Sequence, residues 1–280
     1  MTKVVITSDL HLGITLRYQI DEMIAAIAQE QPDLTVLAGD IGEGIDHIRT
    51  CLRLFRDVPG QKAALGGNHD VWALAGAHSA EVWERDLPLA VREAGMLWLE
   101  EDVWRADGLA VTGSIAWYDY SGADPSIPPQ SAEYWMETKR QMHPDARFLD
   151  WPWSDIEFAG RCADGLAARV AALDADASVS DLLLVTHVPL FREQLVTRPE
   201  IPRWGYGNAF FGNLTLGERV RQSPKLRAVV SGHTHIGVRS TLAGERTTPV
   251  WVNPSDFFKP RYVVYEHPTG ALRDQAQTGA

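Results

Sequence analysis

Five short polar blocks in this chain each follow an apolar run that has the length of a buried strand. Asp, Asn and His side chains bind hard or borderline divalent metals, and a hydrophobic strand has no need of them. The blocks therefore predict one metal site assembled from distant parts of the sequence. They are Asp9-Leu10-His11, Gly39-Asp40, Gly67-Asn68-His69-Asp70, His187 in Val185-Thr186-His187-Val188-Pro189, and Gly232-His233-Thr234-His235.

The first third of the chain alternates apolar runs with amphipathic segments. The runs at 4–7, 34–38 and 63–65 predict strands, and apolar residues recur at helical spacing after each one, first over roughly residues 17–31. This alternation predicts a sheet with a parallel core, which binds ligands beyond the carboxyl ends of its strands. Further strands are predicted at 97–99, 103–106, 109–112, 182–185, 227–230, 250–252 and 262–265.

Composition narrows the class of protein. The chain has 280 residues and a formal net charge of −11, which argues against nucleic acid as a partner. Cys51 and Cys162 form no Cys-x-x-Cys pair, which argues against a disulfide scaffold and a cysteine zinc site. We expect a single domain over residues 1–280, with a polar C-terminus whose last dozen residues fray.

The sequence shows no signal peptide, because its first apolar run leads directly into Asp9. No run approaches the length of a membrane span. These observations predict a cytoplasmic protein with no membrane partner.

An aromatic insertion, residues 115–153, interrupts the alternation with seven Trp or Tyr side chains and five prolines. Its rings, Trp117 and Tyr118 among them, either stack on a substrate or form a hydrophobic cluster beneath a long loop. Ser154-Asp155-Ile156-Glu157 then has the form of a capping box and predicts the start of a long helix.

The residues within the blocks suit a pair of ions. His233 and His235 are two residues apart and point to the same side of an extended segment, so they could contact two neighbouring ions. Asp40 has two carboxylate oxygens and could bridge those ions. Asn68 adds a neutral oxygen, which limits the total negative charge.

The ordered set of blocks resembles the calcineurin-like metallophosphoesterase family. The family pattern is Asp-x-His, Gly-Asp, Gly-Asn-His-Asp/Glu, a His after a strand, and Gly-His-x-His, and it matches from about residue 3 to 254. The resemblance implies a layered α/β/β/α sandwich with mixed sheets and a metal site at the carboxyl ends of the strands. Asn253-Pro254-Ser255 departs from the family's Asn-Pro-Gly-Ser.

The resemblance also implies two divalent ions, with Mn, Fe or Zn as candidates. A hydroxide bridging the two ions would attack the phosphorus. One ion would be held by Asp9, His11 and His235, and the other by Asn68, His187 and His233, with Asp40 between them.

His69 resembles the family's histidine that is not a ligand, and it would either donate a hydrogen bond to the phosphoryl oxygen or protonate the leaving alkoxide. Asp70 either orients His69 or is a helix-start residue favoured by the helix dipole. Arg203, together with Trp117 and Tyr118, is a candidate substrate contact.

The activity that these features favour is metal-dependent hydrolysis of a small phosphoester, and of a phosphodiester first. A phosphomonoesterase or a nuclease of the same family is the nearer alternative. A catalytically silent metal-binding scaffold is the alternative from a different class, but every ligand position and His69 are present.

Overall fold

The computed structural model describes residues 1–201, 203–244 and 246–275. The strands are β1 (Thr2–Thr7), β2 (Leu34–Ala38), β3 (Gln61–Leu65), β4 (Leu97–Trp98), β5 (Trp104–Ala106), β6 (Leu109–Ser114), β7 (Asp181–Thr186), β8 (Leu226–Ser231), β9 (Val238–Leu242), β10 (Thr248–Val252), β11 (Tyr262–His267) and β12 (Ala271–Asp274). The α-helices are α1 (Arg17–Gln29), α2 (Ile45–Leu54), α3 (Ser79–Glu81), α4 (Leu87–Glu93), α5 (Ala132–Met142), α6 (Asp145–Phe148), α7 (Asp155–Ala175), α8 (Trp204–Gly207) and α9 (Leu214–Val220).

The strands form two six-stranded sheets, in the orders β12-β11-β1-β2-β3-β4 and β5-β6-β7-β8-β10-β9. In the first sheet β1 to β4 are parallel, and β11 and β12 add antiparallel neighbours at one edge. In the second sheet β6, β7, β8 and β10 are parallel, between the antiparallel edge strands β5 and β9. The prediction of mixed sheets is confirmed.

The two sheets pack face to face, with helices on the outer faces. Ile6 of β1 and Val185 of β7 belong to one fully buried cluster between the sheets. Because side chains alternate along a strand, Val5 points the other way and shares a second cluster with Ile20 of α1. The α/β/β/α sandwich is thereby confirmed.

The long helix predicted after the aromatic insertion is α7, and it begins where the sequence indicated. The Ser154 hydroxyl accepts a hydrogen bond from the backbone N–H of Glu157, and the Glu157 carboxylate accepts one from the N–H of Ser154. These two bonds form the capping box.

The C-terminus departs from the sequence prediction of fraying. Residues 271–274 form β12, which pairs with β11 in register from Val263 with Asp274 to Glu266 with Ala271. Arg273 also forms a paired contact with Glu30 at the end of α1, with Nη1–Oε1 and Nη2–Oε2 distances of 2.9 and 2.5 Å. Residues 276–280 of the predicted frayed end lie outside the described residues.

None of the helices in the described ranges combines the length and the apolar character needed to cross a membrane.

Candidate metal centre

The five polar blocks meet at one edge of the sandwich, because each follows the carboxyl end of a parallel strand. These strands are β1, β2 and β3 in one sheet and β7 and β8 in the other. The predicted position of the site is therefore confirmed. The side chains that meet there are the proposed ligands Asp9, His11, Asp40, Asn68, His187, His233 and His235.

Backbone strain is concentrated in these residues. A residue other than glycine at positive φ costs about 1–3 kcal/mol and persists where the surroundings require it, often at functional sites. Five of the seven proposed ligands have such a backbone: Asp9 (56°), His11 (44°), Asp40 (52°), His233 (71°) and His235 (55°).

Glycine is required where the second and third blocks approach each other. A Cβ atom on Gly67 would lie 2.2 Å from both the backbone nitrogen and Oδ1 of Asp40. Gly39 has φ of +86°, and a Cβ there would lie 2.6 Å from Nδ1 of His187. A side chain at either position would displace a proposed ligand.

One group of ligand atoms centres on His11 and His235. Nδ1 of His11 lies 3.0 Å from Oε1 of Glu43, and Nδ1 of His235 lies 3.2 Å from Oδ1 of Asp256. A ring nitrogen that faces a carboxylate carries the proton, which leaves the other nitrogen with a lone pair. The two Nε2 atoms nevertheless lie only 3.2 Å apart. Facing lone pairs repel, so this pair fits a shared cation.

Two carboxylates complete this first group. Oδ1 of Asp9 lies 3.5 Å from Nε2 of His235, and Oδ2 of Asp40 lies 3.5 Å from Nε2 of His11. All four ligand atoms lie within 4.8 Å of one another. Two imidazoles and two carboxylates are a donor set that zinc, manganese and iron accept.

A second group centres on the Asn68 amide oxygen. His187 Nδ1 donates to the carbonyl of Ala38 over 2.9 Å, and His233 Nε2 donates to the carbonyl of Phe210 over 2.8 Å. Each ring turns its other nitrogen to Asn68 Oδ1, at 3.1 Å for His187 and 2.9 Å for His233. When both rings are neutral, these two nitrogens and the amide oxygen are three acceptors that face one another, and such a group also fits a cation.

Asp40 lies between the two groups. Its Oδ2 faces His11, and its Oδ1 lies 3.5 Å from His187 Nε2. Burial raises the pKa of Asp40, but His187 and His69 hold it well below the usual aspartate range. Conversely, burial lowers the pKa of His187, but Asp40 raises it to about 9. The field at this point thus favours a positive charge.

His69 lies beside the first group and is held by Glu43, which the sequence reasoning missed. Oε1 of Glu43 accepts hydrogen bonds from Nδ1 of both His69 (3.1 Å) and His11 (3.0 Å). The His69 ring also stacks on Trp72, with 3.6 Å between ring centroids. Glu43 follows Gly39-Asp40 by three residues, and that spacing was the only available signal.

Asp70 does not orient His69, which corrects the first of the two sequence interpretations; it lies in the first turn of a short 3-10 helix, His69–Val71. Its Oδ1 accepts the backbone N–H of Ile41 at 2.8 Å and of Gly42 at 3.3 Å, and its Oδ2 accepts that of Gly67 at 2.9 Å. The fully buried carboxylate thus ties the loop after β2 to the loop after β3. Its function in this structure is to hold the loops that carry Asp40 and Asn68.

Asp145 of the aromatic insertion also reaches the site, and sequence reasoning missed it. Its Oδ1 accepts a 2.9 Å hydrogen bond from the Asn68 amide nitrogen. Burial raises the pKa of Asp145, but His143 and Lys139 keep it below the usual aspartate range. No local pattern could have indicated a contact between residues 77 positions apart.

The predicted substrate contacts need a correction. Trp117 and Tyr118 are fully buried, so neither ring offers a surface on which a substrate could stack. Trp117 donates from Nε1 to Asp155, which also pairs with Lys139 at 2.7 Å. At these two residues the aromatic insertion forms a hydrophobic cluster, which was the second interpretation of its rings. Arg203 is exposed before α8, and its role stays a prediction.

A family model for calcineurin-like phosphoesterases matches residues 2–237. The chain belongs to this family. None of the curated proteins compared with the chain matches it.

Three solved structures with the same fold are similar to this chain. Phosphopantetheinyl hydrolase of Mycobacterium tuberculosis is 21% identical with a TM-score of 0.66, and the match covers 98% of this chain and 95% of that one. The protein TT1561 of Thermus thermophilus is 12% identical with a TM-score of 0.56, covering 98% and 97%. A dimetal phosphatase of Danio rerio is 12% identical with a TM-score of 0.55, covering 94% and 92%. At these identities the similarity shows the fold.

Proposed function

We propose that this calcineurin-like phosphoesterase hydrolyses a small phosphodiester with water as the nucleophile, using two divalent metal ions. The observation that supports two ions is the pair of acceptor groups that share Asp40, one around His11 and His235 and one around Asn68. Manganese, iron and zinc suit this mixture of imidazole, carboxylate and amide ligands. Bound divalent ions would offset phosphate charge and make a water molecule more acidic.

His69 supplies the proton for the leaving group. Its Nδ1 is occupied by Glu43, so Nε2 is the nitrogen available to the substrate. Its side chain is 13% exposed, compared with none for His11 and His187, so a substrate can reach it. The backbone N–H of His69 donates to Oδ1 of Asp40 at 2.9 Å, which keeps this proton donor beside the ligand groups.

The surrounding charge favours a diester over a monoester. No lysine or arginine of the described residues forms a hydrogen bond or ion pair with any of the seven proposed ligands, His69 or Glu43. Glu43 and Asp256 instead add negative charge beside the site. A phosphodiester has one negative charge, whereas a monoester has up to two, so the diester is repelled less.

The names of the structural neighbours suggest further substrates. One neighbour is called a phosphopantetheinyl hydrolase and another a dimetal phosphatase. A phosphopantetheinyl compound and a phosphomonoester therefore belong in the substrate panel.

The test is hydrolysis of bis-p-nitrophenyl phosphate and p-nitrophenyl phosphate by metal-free protein, before and after addition of manganese, iron or zinc. We expect activity only with metal, and higher kcat/KM for the diester. A preference for the monoester would favour the phosphomonoesterase alternative. Bound metal with no hydrolysis of any ester in the panel would support a silent scaffold.

A further inference from the structure

We propose that Asp145 is a positioning residue that keeps the amide oxygen of Asn68 turned towards His187 and His233. This inference extends the proposed function, because it concerns the second of the two metal sites. The Asn68 nitrogen donates to Asp145 Oδ1 at 2.9 Å, and the Asn68 oxygen faces the two histidines at 3.1 and 2.9 Å.

An asparagine side chain has two nearly isosteric ends, and only one of them can bind a cation. Rotation of the amide by 180° would direct the NH₂ group of Asn68 at His187 and His233 and its oxygen at the partner on the other side. The carboxylate of Asp145 accepts hydrogen bonds and cannot donate one, so the rotated amide would place two oxygens against each other. The contact with Asp145 therefore selects the orientation that binds metal.

The Asp145 carboxylate is itself held in place. It is fully buried, and its Oδ1 also accepts a 2.7 Å hydrogen bond from Trp72 Nε1. Its Oδ2 accepts a 2.6 Å hydrogen bond from the Tyr118 hydroxyl and lies 3.3 Å from His143 Nδ1. Both oxygens are thus engaged, and the side chain can rotate only by breaking several buried hydrogen bonds.

This network gives the aromatic insertion a part in the metal site. Asp145 begins α6, and the last residue of this helix is attached to the loop after β3, because the Ala73 N–H donates to the Phe148 carbonyl at 2.7 Å. The buried Tyr118, rather than stacking on a substrate, donates to the residue that orients Asn68. The insertion therefore supports the second group of ligands from outside.

Two substitutions separate orientation from charge. In Asp145→Asn, the amide oxygen can stay at the Oδ1 position and the NH₂ can donate to the Tyr118 oxygen, so the acceptor for Asn68 remains although the charge is lost. In Asp145→Glu, the charge remains but the extra methylene displaces the acceptor. If orientation matters, Asp145→Asn should keep metal binding and Asp145→Glu should lose it.

The measurement is titration of metal-free protein with Mn²⁺, followed by calorimetry and by the electron paramagnetic resonance of free Mn²⁺. We expect two sites in the wild-type protein and in Asp145→Asn, with dissociation constants within about threefold of each other. We expect Asp145→Glu to keep one site and to bind the second ion roughly 10–100-fold more weakly, the range seen when a partner of a metal ligand is lost.

Tyr120→Phe is the matched control. Tyr120 lies in the same insertion, and its hydroxyl donates a hydrogen bond to Asp155 at the start of α7. The substitution removes this bond without touching Asp145. Its thermal midpoint should fall while both Mn²⁺ affinities stay at the wild-type values. If Tyr120→Phe weakened the second site as much as Asp145→Glu, general packing would explain the effect and the inference would be overturned.

The remaining outcomes also decide. If Asp145→Asn lost the second site and Asp145→Glu kept it, charge would be the cause and the inference would fail, while the proposed hydrolysis would stand. Unchanged Mn²⁺ binding in both variants would also overturn the inference and leave the proposed hydrolysis standing. If the wild-type protein bound no Mn²⁺, the inference and the two-metal proposal would fail together. If Asp145→Glu does not fold, Asp145→Ser replaces it, because the serine side chain is too short for its hydroxyl to reach Asn68.

Discussion

His69 and Glu43 form a hydrogen bond with 3.1 Å between Nδ1 of His69 and Oε1 of Glu43. Burial lowers the pKa of His69, but Asp40 and Glu43 raise it to about 9. Burial has the opposite effect on a carboxylate and raises the pKa of Glu43, but hydrogen bonds from His11 and His69 lower it to about 2. The pair is a protonated imidazole beside an ionised carboxylate, which is the state that a proton donor needs at neutral pH.

Replacing Glu43 by glutamine should change the pH dependence of turnover. His69 donates a proton only while it is protonated, so activity falls as the pH rises through its pKa. Glu43→Gln removes a charge that raises this pKa, and the alkaline limb of the kcat profile should move to lower pH by roughly 1 unit. The control is Glu84→Gln, which removes an exposed carboxylate paired with Arg161. An alkaline limb that stays in place would show that Glu43 does not tune His69.

Removing the His69 side chain should affect chemistry and leave metal binding intact. Loss of a general acid typically costs about 10²–10⁴ in rate, and we expect a fall of this size in kcat for His69→Ala. The fall should be smaller for p-nitrophenyl esters than for alkyl esters, because p-nitrophenolate leaves without a proton. Metal content, measured by inductively coupled plasma mass spectrometry, should match the wild type. Loss of bound metal with activity would make His69 structural.

Asp70→Asn should lower stability without altering the pH dependence. The NH₂ group of the asparagine cannot accept a hydrogen bond. At least one of the backbone N–H groups of Ile41, Gly42 and Gly67 therefore loses its partner. The free energy of unfolding should fall by about 1–3 kcal/mol, measured by urea denaturation. The alkaline limb of kcat should stay where it is in the wild type. A shift like that of Glu43→Gln would return Asp70 to the role of orienting His69.

Glu30→Gln should lower stability at neutral pH and have no effect in acid. The hydrogen bond from Arg273 lowers the pKa of Glu30 below its ordinary value of 4.5. The folded state therefore gains stability above the unfolded pKa and loses it as the pH falls through the folded pKa. We expect a difference of up to about 1 kcal/mol at pH 7 that disappears at lower pH, measured by urea denaturation. A difference that is independent of pH would contradict the role of the charge.

Local patterns were enough to predict most of the strands and α7. Strands such as β1 and β7 are continuous apolar runs, and Ser154 and Glu157 cap α7 through contacts within four residues. Among the elements that escaped prediction, α5 and β12 have partners that are distant in the sequence. The helix α5 buries only Trp135 and Lys139, and the latter pairs with Asp155. The short strand β12 depends on pairing with β11.

The sequence by itself determined the family and the place where the polar blocks meet, because a parallel strand carries the residue after its carboxyl end to a known edge of the sheet. Only the tertiary structure decided which side chains hold the residues of these blocks in position. Glu43 replaced Asp70 as the partner of His69, and Asp145 reached Asn68 from the aromatic insertion. Such hydrogen bonds depend on distance and direction in space, and these are set by how separate loops pack.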